Sequence, residues 1–99
     1  MRPVDKCDTT VTMLGATYSM PVFVTPAGVH KLADREGGEG ATARACERAS
    51  VACGVSQHAT TSIEDVAAAA GRANHLWYQC YILLDRGITA DLVARSPLL

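Results

Sequence analysis

Three short apolar runs, none of which alternates with polar residues, constrain this chain more than any other feature. They are Met20-Pro21-Val22-Phe23-Val24-Thr25, residues 51–56 and residues 76–83. A strand with one wet face alternates apolar and polar residues, whereas a continuous run suits a strand covered on both faces, as parallel strands are. Parallel neighbours cannot be joined by a hairpin, so the segments between the runs must carry crossovers, which are right-handed and usually helical. Pro26 is predicted to end the first strand.

The connecting segments have helical character. From Gly40 onward, Ala41, Ala45, Cys46 and Ala49 are assigned to one buried face. Thr61-Ser62-Ile63-Glu64 has the form of a capping box ahead of an Ala-rich stretch, and Gly71 is placed to stop that helix. A third helix containing Leu92 and Val93 is predicted, with Thr89 as its cap. Ahead of all this, residues 9–13 and 16–19 are β-branched and Thr-rich around Leu14-Gly15, which predicts a hairpin. The fold class is therefore α/β: a leading hairpin in residues 1–19, then about three parallel βα units in residues 20–99, in at most one domain.

Three βα units do not close a barrel, which takes about 250 residues. Unpaired sheet edges are therefore expected, either covered by something outside these residues or belonging to a smaller open sheet, and a chain of this length buries only about 60–65% of its unfolded surface. A net charge of -1, with nine basic residues scattered along the chain, offers no basic face for a phosphate backbone, and nucleic acid is not expected as a partner. The longest nearly uncharged run, residues 76–84, falls far short of the ~20 residues a membrane-spanning helix needs. Met1-Arg2-Pro3 opens no secretory signal, and an intracellular protein is expected. Cys7, Cys46, Cys53 and Cys80 contain no Cys-x-x-Cys pair, so no metal site is expected and the thiols read as reduced.

In parallel α/β folds ligands bind at the carboxyl ends of the strands, which directs attention to the residues just after each run. The first ends in Thr25-Pro26-Ala27-Gly28, the second in Ser56-Gln57-His58, and the third contains Gln79-Cys80-Tyr81. Small residues after the first strand would let a flat ring approach the backbone, while Ser56, Gln79 and Tyr81 could hydrogen-bond its polar edge. Spacing alone equally allows Pro26 and Gly28 to make a turn and Ser56 to cap a strand end.

Four segments in order carry a family resemblance: residues 24–32 (VTPAGVHKL), Glu39 through residues 41–45 (ATARA), residues 55–60 (VSQHAT), and Tyr78-Gln79-Cys80-Tyr81 with Asp85-Arg86. Together they resemble the FMN-dependent 2-hydroxy-acid oxidising enzymes, among them glycolate oxidase, lactate oxidase and flavocytochrome-type lactate dehydrogenase. The resemblance runs from about Arg2 to Arg95. It implies an N-terminal piece of a TIM barrel, FMN as cofactor and a small L-2-hydroxy acid as substrate, with a homo-oligomer possible for the complete enzyme.

By that resemblance Pro26, Ala27 and Gly28 lie along one face of the isoalloxazine, and Ser56 and Gln79 bond its polar edge. Tyr81 and Gly28 border the substrate, Tyr81 meeting its carboxylate, and His58 lines the pocket wall. The family's catalytic His, two Arg and Lys stand on later strands and have no counterpart here, so the piece alone is expected to be inactive. His30 and His75 do not match the family's base and read as surface or loop histidines.

Three departures stand out. Gly28 replaces a common Ala, which suggests extra room beside the ring; residues 34–39 look longer than the corresponding family segment; and Leu84 replaces a residue that is often Lys. An interaction module that pairs bare strand edges with a partner is the non-enzymatic alternative, and a stable monomer on size-exclusion would count against it. Another FMN family, such as an isomerase or nucleotide dehydrogenase, fits Gln79-Cys80-Tyr81 after Ser56 less well.

Overall fold

The computed structural model describes residues 6–71 and 75–96. The first residues of the resembling segment, 2–5, lie outside them. Leu14 (φ 50) and Gly15 (φ 83) both adopt positive φ, the geometry of a two-residue turn whose twist matches the flanking strands. They join β1, Val11–Met13, to β2, Ala16–Tyr18, as the predicted hairpin.

Then follow β3 (Phe23–Ala27), a single 3-10 turn (His30–Leu32), α1 (Gly38–Ala49), β4 (Ala52–Ser56), α2 (Ile63–Ala70), β5 (Leu76–Gln79) and α3 (Arg86–Arg95). The three later strands form one parallel sheet in the order β3-β4-β5, so the βαβ reading holds.

The main core lies between α1, α2 and one face of the sheet: Ala43, Cys46, Cys53, Val55, Val66, Ala70 and Leu76. The opposite face is closed at the amino ends of the strands by the hairpin, where Ala16 and Tyr18 meet Ala52 and Trp77. Central β4 therefore has neighbours on all sides. All four cysteines are free. Burial pushes the Cys53 thiol up to about 12, helped by the adjacent Cys46, so this thiol is an inert core group.

Several expectations need correction. β3 is exposed along its whole length rather than covered on both faces: it forms one edge of this open sheet, and α1 packs over β4 instead. Pro26 does not end it: the strand continues to Ala27 through a register shift between Val24 and Ala27. An edge position tolerates the missing N–H. Gly54 of β4 makes room for the ring, since a Cβ there would stand 2.6 Å from Pro26 Cδ.

The third strand is shorter than predicted and stops at Gln79, because β4 has already ended at Ser56, its partner in register. Beyond that point side chains take the backbone amides: Tyr81 N–H donates to Gln57 Oε1 (2.6 Å) and Leu83 N–H to Thr89 Oγ1 (3.0 Å). Thr89 is thus occupied inside α3. Asp85 caps that helix, accepting from the Gly87 and Ile88 N–H groups.

The cap of α2 is Ser62 rather than Thr61; its hydroxyl accepts from Asp65 N–H (3.2 Å) and donates to Asp65 Oδ2 (2.7 Å). Glu64 instead pairs with Arg95 of α3 (2.8 Å). Gly71, at φ 80, ends α2 as predicted.

On α1 the buried face is Gly40, Ala43 and Cys46, while Ala45 and Ala49 are exposed. With small residues on most sides of this helix, periodicity was ambiguous. The close approach of α2 decides it: a Cβ on Gly40 would lie 3.3 Å from Ala69 Cβ.

Candidate functional site

Because β3, β4 and β5 run parallel, their carboxyl ends open on the same end of the sheet, and the loops that follow are neighbours. Ser56 and Gln79 are paired in register; the Ser56 hydroxyl donates to Gln79 Oε1 (3.3 Å) and accepts from His58 N–H (3.1 Å). Ser56 is buried while Gln79 is half-buried, so the pair has one protected side and one accessible side. Gln57 ties the same two strand ends a second time, its N–H donating to Gln79 O (3.1 Å) and its Oε1 accepting from Tyr81 N–H. This fixes the start of the Tyr81 loop, and the Tyr81 ring lies against the His58 ring at 5.0 Å and 37°.

The β3 tip joins the group through the backbone. Val29 N–H donates to His58 O (3.1 Å), and a Cβ on Gly28 would stand 2.9 Å from that oxygen and 3.0 Å from His58 Cβ. The extra room expected beside Gly28 is therefore not there on that side. The absent methyl lets the His58 backbone close in. Val29 sits at φ 55, ψ 38, a left-handed conformation that a β-branched residue adopts only when its surroundings enforce it. The bond to His58 O and the one from Leu32 N–H to Val29 O (3.0 Å) do so.

Glu39 completes the cluster. It lies in the first turn of α1, only 4% exposed, and its Oε1 accepts from His30 N–H (3.0 Å) and Thr60 N–H (2.8 Å). The Thr60 hydroxyl reaches both oxygens, and the Thr61 hydroxyl donates to Oε2 (2.7 Å). Burial alone would raise this carboxyl. The amide donors of Thr60 and His30 and the Thr61 hydroxyl outweigh burial and hold it at about 2.

The structure thus brings together Gly28, Ser56, His58, Gln79 and Tyr81, with Pro26 and Ala27 on the adjoining strand end. His30 stands apart from them, half-buried with Nδ1 3.1 Å from Thr42 Oγ1. His75, expected at the surface, is buried at the amino end of β5, 3.2 Å from a Glu47 carboxylate oxygen and stacked on Tyr18. Among the described residues no cluster of His, Cys, Asp or Glu could hold a metal, and no helix is long and apolar enough to cross a membrane. A cavity of about 350 Å³ lies beside the 3-10 turn, against α1; its walls include Gly28 but none of Ser56, Gln79 or Tyr81.

Sequence reasoning missed Gln57, Glu39, Thr60 and Thr61 as parts of this arrangement. Thr60-Thr61 after a strand end, with a Glu opening the preceding helix, was the available signal, but Thr61 was assigned to the helix cap instead.

Residues 1–97 match the family model described as FMN-dependent dehydrogenase. The chain belongs to the FMN-dependent dehydrogenase family. Within it, the chain is 37% identical over 95 residues to 2-hydroxyacid oxidase 2 of Bos taurus, covering 96% of this chain and 26% of that protein. To glycolate oxidase of Spinacia oleracea it is 39% identical over 93 residues, covering 94% and 24%.

The fold agrees with solved structures of the family. The flavin-binding domain of baker's yeast flavocytochrome b2 superposes with a TM-score of 0.89 at 34% identity, over 95% of this chain and 25% of that one. A mandelate oxidase variant with (S)-mandelic acid gives 0.88 at 30% identity, over 98% and 28%. The chain spans about a quarter of the length of these relatives, and its sheet and helices are an open piece of an α/β barrel.

Proposed function

We propose that this chain, a single partial domain with residues 1–19 as the leading segment that carries the hairpin, forms part of an FMN-dependent oxidoreductase. The complete enzyme converts an L-2-hydroxy acid of the lactate or glycolate type to the 2-oxo acid. The observation that carries the reading is the convergence of three strand ends, at Gly28, at Ser56 and at Gln79 to Tyr81, on one end of a parallel sheet.

FMN fits what these ends offer. Pro26, Ala27 and Gly28 present a backbone edge whose side chains are only a pyrrolidine ring, a methyl group and a hydrogen, against which a flat tricyclic system can lie. Gln79 and Ser56 hold a linked amide and hydroxyl beside it, the amide with donors to spare. When bound, FMN supplies the two-electron acceptor for oxidation of the carbon bearing the hydroxyl.

The chain's own residues bind and orient. The exposed Tyr81 hydroxyl donates to the substrate carboxylate. His58, whose ring lies against that of Tyr81 and whose backbone closes on Gly28, would form the wall that limits the substrate's side chain. The base that takes the hydroxyl proton, the cations that hold the carboxylate and a positive charge near the reduced ring are assigned to other parts of the complete enzyme. Alone, the chain is then inactive and binds FMN weakly or not at all.

The test is to express the complete coding region and assay L-2-hydroxy acids of two to eight carbons. A bound flavin and turnover are expected, with Tyr81→Phe raising KM about 10-fold or more, the loss of a hydrogen bond to a charged group. A flavin-loaded product that oxidises none of these acids, or an unchanged KM, would overturn the reading.

A further inference from the structure

We propose that Glu39 is a positioning residue whose carboxylate spans the loop after β3 and the loop after β4, setting the separation between Gly28 and His58. Use of that separation as a flavin and substrate cleft rests on the function proposed above; the separation itself does not.

The geometry is specific. One oxygen, Oε1, takes the N–H of His30 from the first loop and the N–H of Thr60 from the second. Thr60 then extends the link, its hydroxyl donating to Glu39 and accepting from Lys31 N–H (3.2 Å). Each loop is therefore attached to the carboxylate two residues beyond the member of the Gly28–His58 pair that it carries. Between those attachments lies the direct bond from Val29 N–H to His58 O. Such a frame has little freedom: moving His58 away from Gly28 stretches the Val29 bond and at least one Glu39 bond together.

Two direct bonds also cross between these loops, Val29 N–H to His58 O and Lys31 N–H to Thr60 Oγ1, but only the Glu39 carboxylate gathers amides of both loops on one acceptor, and the strained Val29 backbone needs such a restraint to persist. The competing explanation is that Glu39 only places negative charge at the N-terminus of α1, where any acid would serve.

Two conservative variants separate these ideas, because they keep different properties. Glu39→Gln retains the reach and an acceptor oxygen for both amides but loses the charge. Glu39→Asp retains the charge and loses one methylene of reach. Amide hydrogen exchange of the isotope-labelled protein expressed from the complete coding region, measured without flavin, reads the outcome at Val29, His30 and Thr60, with Val55 and Val66 as references in β4 and α2.

Positioning is supported if Asp raises exchange at the three loop amides about 10-fold or more over the references while Gln stays within about 3-fold of wild type. Protection restored by Asp and lost with Gln would overturn it in favour of the charge. Equal changes at loops and references, or no change in either variant, would overturn it as well. Because no flavin is present, these outcomes are independent of whether the complete enzyme oxidises hydroxy acids.

Discussion

The two ends of the β3-β4-β5 sheet are built from different chemistry. At the amino ends the hairpin closes the sheet with apolar and aromatic surface: Tyr18 packs edge-on against Trp77 at 6.3 Å, and Phe23 lies 5.7 Å from the same indole. At the carboxyl ends Glu39 with Thr60, Ser56 with Gln79, and Gln57 with the Tyr81 amide hydrogen-bond loops and strand ends to one another, while the His58 and Tyr81 residues stay exposed. Burial of apolar area is non-directional and stabilises without fixing atoms in place. Hydrogen bonds to a buried carboxylate fix positions to fractions of an ångström, and leaving any of them unmade is costly. One end therefore supports the fold and the other holds a geometry.

The largest effect that could break this contrast is at the amino end. Tyr18→Ala empties a site only 1% exposed and should cost about 3–5 kcal/mol in denaturant unfolding, with loop exchange at Thr60 rising only as global stability falls. A loss below about 1 kcal/mol would show that the hairpin is not the plug it looks like.

Acid should act on the other end first. The Glu39 carboxyl titrates at about 2 in the folded chain against an ordinary 4.5, so its contribution is complete above pH 4.5 and is lost as the pH falls from there toward 2. The shift corresponds to about 3 kcal/mol. Asp8 and Glu64 are also lowered, through Thr10 and Arg95 respectively, but both stand in water and add little. Over that range amide protection at His30 and Thr60 should fall before Trp77 fluorescence changes. Trp77 responding first would invert the comparison.

The smallest effect sharpens it. Ser62→Ala removes the cap of α2 and should cost about 1 kcal/mol, lowering the thermal midpoint by about 4–8 °C. Thr60 protection relative to the references should stay as in wild type, because Glu39 does not use Ser62. A selective loss at Thr60 would place the cap inside the positioning lattice.

Much of this was legible in residue order. Leu14-Gly15 between β-branched segments gave the hairpin, the continuous apolar runs gave parallel strands, and Gly71 gave the end of α2, because each signal is local and acts within a few residues. The candidate cleft was legible for a related reason: parallel strands place all their carboxyl ends together, so locating the strands located Gly28, Ser56, Gln79 and Tyr81. Errors came where a residue had two possible partners. Thr61 can cap a helix or bond a carboxylate from another element, and the distant Glu39 decides between them. Thr89 can cap α3 or serve Leu83, and Asp85 is better placed for the cap.

The sequence by itself determined the order of elements, the parallel sheet and the strand ends from which a site could be made. Tertiary structure alone decided that α1 buries Gly40 and Ala43 beside Cys46, that His58 fills the space beside Gly28, and that Glu39 holds two loops at once. The reason is physical: local propensity is written in neighbouring residues, whereas packing faces and shared acceptors depend on groups that are far apart in the chain and meet only after folding.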